Sequence, residues 1–360
     1  MSLLPRLRPA VERLRAYNPP KEGRAGLRLD FNENTIGCPP RVLEVLREIT
    51  GEDLARYPEY AQGEDAIAQA FGHTPATMTL TNGVDDAILL AVQCFVDSGD
   101  EMIIVEPTFT IYRFYGELTG AHLMPVRWRE REITSRVRRF ELDSSALRAA
   151  LTPQTRLVII ASPNNPTGHL TPPADLLDWV RAAPQTAFLV DEAYADFVAP
   201  GYRGLLDAVR TLPNLLVART FSKSYGLAGL RLGSLFAHPE LMPVLRKAHS
   251  PYNVNTLAIR CALAALRDQD WLEDYRRQIR ASREHIQSVL AVAGISYWQS
   301  EANFVLFEAG ERADSILTGL RRQGILIRDR RGDYPGALRI TCGTQEQTER
   351  ALAALLEFWT

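Results

Sequence analysis

From about residue 62 the chain alternates two apolar patterns. Short, continuous apolar runs are separated by longer stretches in which apolar residues return with the helical period. The runs Met78–Thr81, Glu101–Val105, His122–Val126, Leu157–Ala161, Phe188–Val190, Leu215–Ala218 and Leu232–Ala237 are predicted strands. Their unbroken hydrophobicity suits strands covered on both faces, and their alternation with helices predicts a mostly parallel sheet. Whether Leu232–Ala237 runs antiparallel stays open. After Pro251-Tyr252-Asn253-Val254-Asn255 the texture changes. Helices are predicted over Thr256–Leu266 and Asp270–Ala293, strands over Asn303–Glu308, Ile325–Arg328 and Ala337–Thr341, and a closing amphipathic helix over Gln345–Phe358. Upstream, a short strand precedes the turn-forming Asn32-Glu33-Asn34-Thr35-Ile36-Gly37, Arg41–Glu48 reads as a helix, and Arg56-Tyr57-Pro58-Glu59-Tyr60 as a turn. The expected fold is α/β: a three-layer α/β/α large domain over 46–250, with a smaller α+β domain built from an arm, 1–45, and from 251–360.

Composition narrows the function without naming it. A chain of 360 residues, 46% hydrophobic with net charge -2, can bury a large core and has no excess charge dedicated to nucleic acid or a membrane surface. Its one charge-dense segment, Arg127–Arg139, reads as a solvated loop or hairpin. Cys38, Cys94, Cys261 and Cys342 are scattered, with no CxxC pair or histidine cluster nearby, which predicts reduced thiols, a cytoplasmic location and no metal site. The basic, proline-broken N-terminus lacks the apolar core of a signal peptide, and no apolar run is long enough to span a bilayer.

The chemistry gathers at strand ends, where ligands bind in open α/β sheets. Of 41 basic residues only Lys21, Lys223 and Lys247 are lysines. Lys223 stands in Arg-Thr-Phe-Ser-Lys-Ser-Tyr-Gly-Leu-Ala-Gly-Leu-Arg-Leu-Gly, just past a strand, and lysine alone of the two bases can form a Schiff base. Asp191 ends another apolar strand, where a carboxylate is costly unless it meets a positive partner. Asn82-Gly83-Val84-Asp85 opens a helix whose free N–H groups make an anion site. Phe109 offers a ring at a third strand mouth, and Ser162-Pro163-Asn164-Asn165-Pro166-Thr167-Gly168 is a proline-locked turn carrying Asn165. Each feature alone has an ordinary structural explanation. Together they match what pyridoxal 5'-phosphate requires. Lys223 would hold the aldehyde, Asp191 the protonated ring nitrogen, and Phe109 the ring face. Asn165 and Tyr194 would bond the phenolic oxygen. Thr220, Ser222, Arg231 and the amides of Val84 and Asp85 would hold the phosphate.

The ordered motifs Asn-Gly-Val-Asp-Asp, Pro-Thr-Phe, Pro-Asn-Asn-Pro-Thr-Gly, Asp-Glu-Ala-Tyr and the lysine stretch resemble fold type I aminotransferases of class I and II over nearly the whole chain. Within that superfamily, Phe-Asn-Glu-Asn near the start, Tyr57-Pro58, Pro251–Asn255 and Leu338-Arg339-Ile340-Thr341-Cys342-Gly343-Thr344 look most like the histidinol-phosphate aminotransferases. The resemblance implies ping-pong transamination between L-histidinol phosphate, or a related amino donor, and 2-oxoglutarate/glutamate, with Lys223 as Schiff-base lysine and proton shuttle and Asp191 and Tyr194 as its catalytic companions. It implies a homodimer in which Tyr57 reaches the neighbour's cofactor phosphate. Arg339 and Arg328 would receive the substrate's anion, joined by Asn165, and Tyr17 would close the pocket. An aromatic or broad-range aminotransferase, a phospho-amino-acid decarboxylase on the same scaffold, and a cofactor-binding regulator without turnover are the alternatives. The arm departs from the family pattern at Asn34-Thr35-Ile36-Gly37-Cys38-Pro39-Pro40, and Asp86 and Val84 replace commoner residues.

Overall fold

The computed structural model describes residues 5–16, 23 and 25–359. Its strands, in chain order, are β1 Leu27–Leu29, β2 Met78–Thr81, β3 Glu101–Glu106, β4 His122–Glu132, β5 Val137–Leu142, β6 Thr155–Ala161, β7 Ala187–Asp191, β8 Leu215–Thr220, β9 Gly233–Ala237, β10 Tyr297–Trp298, β11 Phe304–Glu308, β12 Ile325–Asp329 and β13 Ala337–Thr341. All seven strands expected in the first half and all three in the second are present. β9 resolves the open question: it runs antiparallel to both β8 and β2. Two reversals return β2 to the direction of β8, so β2, β3, β6, β7 and β8 all end at one edge.

Side-chain alternation builds the two faces of this sheet. Ile103, Val158, Val190 and Val217 enter one apolar cluster, while Met102, Leu157, Leu189 and Leu216 enter the other. Helices Tyr60–Ala70, Pro173–Ala182 and Thr256–Leu266 cover the first face; Val84–Phe95, Thr110–Thr119 and Met242–Ala248 cover the second. Burial on both sides explains why the strands read as solid apolar runs rather than alternating ones. A third cluster, with Phe304, Ile316 and Leu352 among its members, packs β11 to β13 against helices Gln269–Val292, Ala313–Arg322 and Gln345–Leu356.

The charge-dense segment is a hairpin, yet not a merely solvated one. β4 and β5 pair antiparallel, and β5 then pairs with the two-residue β10, joining the strands of both halves into a continuous ladder. Trp128 and Phe140 are buried on the inner face of the hairpin, where Phe140 stacks on Trp298 with centroids 5.8 Å apart. Arg127, Arg129, Arg131 and Arg139 occupy the outer positions, while Arg138 shares the inner face and lies 5.6 Å from the centre of the Trp298 ring. The sequence therefore shows charge where the fold needs a half-buried β-ribbon.

The same alternation separates two adjacent carboxylates. Asp191 follows Leu189 onto the face covered by helix Thr110–Thr119, and Glu192 follows Val190 onto the opposite face. There Glu192 meets Arg219 of β8, whose Nη2 and Nε lie 2.8 and 2.9 Å from Glu192 Oε2. Both side chains are nearly inaccessible, at 6% and 1%. The remaining Glu192 oxygen accepts the Leu205 N–H at 2.7 Å, and Arg219 also donates to the Arg203 carbonyl at 2.9 Å. A buried pair is tolerable only when its remaining hydrogen-bonding capacity is met in this way. Replacing Arg219 with Leu should cost about 3–5 kcal/mol by stranding a buried carboxylate. Urea unfolding of Arg219→Leu and of Arg219→Leu/Glu192→Gln should show the double variant recovering most of that loss; equal stabilities would rule out charge isolation as the cause.

Candidate active site

The common edge of the five strands opens on a cavity of about 480 Å³. Of the residues singled out from sequence, Val84, Asp85, Phe109, Asn165, Asp191, Tyr194, Thr220, Ser222, Lys223, Arg231, Arg328 and Arg339 all line it. Two do not join them. Tyr57 lies outside its own chain's cavity, 75% exposed and stacked on Tyr252 at 4.5 Å. Tyr17 falls outside the described residues.

Asp191 is buried at the end of β7. Its carboxylate accepts the Tyr112 hydroxyl at 2.6 Å through one oxygen and the Ala193 N–H at 3.0 Å through the other. Burial nevertheless pushes it up to about 6, the two donors only partly offsetting that rise. Tyr112 is fully buried, and its own ionisation is driven well above the usual range by burial and by Asp191. Helix Thr110–Thr119 therefore serves the site twice: Phe109 caps it, and Tyr112, three positions on, reaches the aspartate. Their rings meet edge to face, centroids 5.8 Å apart.

The Lys223 ammonium donates to the Phe31 carbonyl at 3.1 Å and lies 5.7 Å from the centre of the Tyr194 ring. Tyr194 is fixed from behind by Phe304, edge to face at 5.1 Å, and its hydroxyl accepts Asn32 Nδ2 at 3.0 Å. Asn32 adopts a left-handed backbone, φ 55°, which asparagine tolerates better than most residues. Its amide N–H and side-chain oxygen both bond the Thr341 hydroxyl at 3.1 Å. The turn near the N-terminus is thereby tied to β13 and to the aromatic beside the lysine.

At the opening of helix Val84–Phe95, Gly83 has φ 78°, and a Cβ there would come within 2.6 Å of the Arg231 guanidinium. Arg231 Nη2 pairs with Asp85 at 3.2 Å, while Thr220 Oγ1 accepts the Ser222 N–H at 3.1 Å. Backbone donors, hydroxyls and a guanidinium thus converge where only glycine leaves room, as a bound phosphate would need. On the other side, Arg339 is buried, donates to the Asn165 carbonyl oxygen and, at 2.8 Å, to the Asp30 carbonyl, and its Nε has no partner. The donor set and the orphaned guanidinium nitrogen fit a cofactor phosphate at one end and a substrate anion at the other.

Tyr112, Asn32, Thr341 and Arg330 are cavity or supporting residues that sequence reasoning passed over. Only Tyr112 carried a usable signal: its helical spacing from Phe109.

The model of the family described as aminotransferase class I and II matches residues 24–355. The chain is 34% identical to the histidinol-phosphate aminotransferase of Symbiobacterium thermophilum, covering 97% of each chain. It is 37% identical to histidinol-phosphate aminotransferase 2 of Ralstonia nicotianae, covering 91% of this chain and 87% of that one. Among solved structures, histidinol-phosphate aminotransferase from Sinorhizobium meliloti in complex with pyridoxal-5'-phosphate superposes with a TM-score of 0.87 at 26% identity, over 99% of this chain and 98% of that one.

A carboxyl raised from 3.8 to about 6 in the fold makes the cofactor-free protein lose stability as pH rises through that window, by on the order of 3 kcal/mol. Below it both states hold the proton; above it both have lost it. Asp191→Asn should therefore melt no higher than the parent near pH 4 and increasingly higher up to pH 7. A difference in melting temperature that stays constant across the range would refute the assignment.

Proposed function

The chain belongs to the class I and II aminotransferases, and on that premise we propose that it is a pyridoxal-phosphate-dependent transaminase whose amino donor is L-histidinol phosphate, with 2-oxoglutarate as acceptor. The observation that carries this reading is one cavity that brings Lys223 and the buried carboxylate of Asp191 together with Arg231, Arg328 and Arg339. When bound, pyridoxal phosphate supplies an electron-accepting ring that eases loss of a proton from the α-carbon of the amino substrate.

The protein's own groups do the rest. Asp191, already oriented by Tyr112 and Ala193, offers its remaining lone pairs to a protonated ring nitrogen. Such a partner reverses the cost of burying the carboxylate and holds it ionised at neutral pH. Phe109 presents a ring face, and Asn165 and Tyr194 present polar groups toward the ring's oxygen. The amides of Val84 and Asp85, with Thr220, Ser222 and Arg231, hold the phosphate. Lys223 is the covalent attachment point. Once freed by the substrate amine, its neutral Nζ would be the base that takes the proton from the donor's α-carbon and delivers it to the cofactor carbon that had held the lysine. Arg339 and Arg328 receive the substrate's anionic end through charge-assisted bonds. Because Asn165 accepts from Arg339, the residue that touches the ring also orients the residue that touches the substrate.

The exposed Tyr57 is directed at a cofactor in a neighbouring copy, making the working unit a homodimer. Tyr17 would close the pocket from the arm. The enzyme is read as cytoplasmic; among the described residues no helix is long and apolar enough to cross a membrane.

Mixing the cofactor-loaded protein with L-histidinol phosphate should rapidly remove the absorption band of the lysine-bound cofactor, and L-phenylalanine should do so far more slowly. Equal or faster loss with L-phenylalanine would replace this substrate with an aromatic amino acid. Lys223→Arg should show no such band and no transamination, since guanidinium cannot condense with the aldehyde.

A further inference from the structure

The outer wall of the cavity is a ladder of arginines. β12 and β13 pair antiparallel with Arg328 directly opposite Arg339. Arg330 extends the ladder by one step, its N–H donating to the Ala337 carbonyl at 3.1 Å. Since side chains alternate along a strand, Arg330 shares the face of Arg328, while Asp329 turns away and pairs with Arg331 at 2.8 Å. All three arginines line the cavity.

Like charges directly opposite on a ladder are destabilising. Here the crowding is felt by Arg339, which burial pulls below its usual range and which Arg330, then Arg328, depress further. The counter-charge nearby is partial. Asp333 Oδ2 lies 2.9 Å from Arg330 Nε, and Glu33 is engaged by Arg28 at 2.6 Å. The adjoining recess is balanced, with Asp30, Asp329 and Asp333 against Arg321, Arg328 and Arg330. The positive excess lies in the main cavity, where Glu33, Asp85 and Asp191 face Lys223, Arg231, Arg328, Arg330 and Arg339. One substrate carboxylate would answer one guanidinium fork. A phosphomonoester brings a charge of about −1.5 to −2 and three acceptor oxygens, which answers the ladder as a whole.

We infer that Arg330 is a specificity-determining residue that joins Arg328 and Arg339 in binding the doubly charged end of a phosphorylated amino donor. This rests on the reading above for the donor's identity, but not for the charge it carries. Asp333 orients the Arg330 fork and, as a competing anion, weakens the phosphate it helps to place.

The test uses cofactor-loaded wild type, Arg330→Gln, Arg330→Lys and Asp333→Asn. Arg330→Gln should raise KM for L-histidinol phosphate about tenfold, the loss of one hydrogen bond to a charged group, with kcat within about twofold. KM for unphosphorylated L-histidinol should not move. The competitive Ki of inorganic phosphate should rise by a similar factor in Arg330→Gln, recover in part in Arg330→Lys, and fall in Asp333→Asn. If Arg330 only braces the hairpin through Asp333, both Arg330→Gln and Asp333→Asn weaken phosphate, or neither does, and both donors suffer alike; that result overturns the inference. Should wild type prefer L-phenylalanine, the donor assignment fails separately, and the phosphate Ki alone decides for or against Arg330.

Discussion

Two consecutive carboxylates at the end of an apolar strand are the constraint around which this structure is arranged. Asp191 and Glu192 are both buried, and each would be prohibitive without compensation. Strand alternation sends them to opposite faces, and the protein treats them differently. Glu192 receives a permanent cation in Arg219. Asp191 receives only neutral donors, Tyr112 and a backbone N–H, and keeps the raised affinity for a proton that marks an uncompensated charge. One carboxylate belongs to the architecture; the other is held ready for a positive ligand.

The structural pair also serves the chemical one. Arg219 contacts Asp196 at 3.4 Å, Asp196 accepts the Ser224 hydroxyl, and Arg276 approaches the same aspartate at 3.4 Å. Ser224 is the neighbour of Lys223, so the buried network grips the turn on which the lysine stands. A lysine on a loop would ordinarily sample many positions. Here the residue after it is tied to the core, and its own ammonium is met by Phe31 from the N-terminal segment.

Much of this was legible in sequence because parallel strands buried on both faces leave unbroken apolar runs, and the loops after them carry residue types with few structural uses. Lys223, Asp191, Asn165 and Phe109 were found that way, along with the segments that hold them. What escaped has physical reasons. β10 is two residues long and has no period to detect. The β4–β5 hairpin buries Trp128 and Phe140 between arginines, so its outer face dominated the pattern. Tyr112 is a buried residue of its helix, and its hydroxyl matters only because the sheet brings Asp191 within reach of it. Asn32 lies 309 positions from Thr341, and no local signal encodes that contact. The arginine ladder depends on the register of β12 with β13, which a hydrophobic pattern alone leaves open to a slip.

These pieces give the cavity an electrical direction. Its inner end seeks a cation through Asp191, its outer end seeks an anion through Arg328, Arg330 and Arg339, and the lysine lies along the wall between them. The β4–β5 hairpin keeps the two ends in fixed relation: Trp128 donates to the Pro107 carbonyl beside the Phe109 turn at 3.1 Å, and Glu130 accepts from Trp298 at 3.2 Å and from Tyr334 in the β12–β13 connection. With Asp191 set against a cationic ring, the arginine end is the part of that field left to attract the anionic end of a substrate. The arginine-rich hairpin, which in sequence looked like surface, is therefore the frame that holds the two charged ends of the site at a working separation.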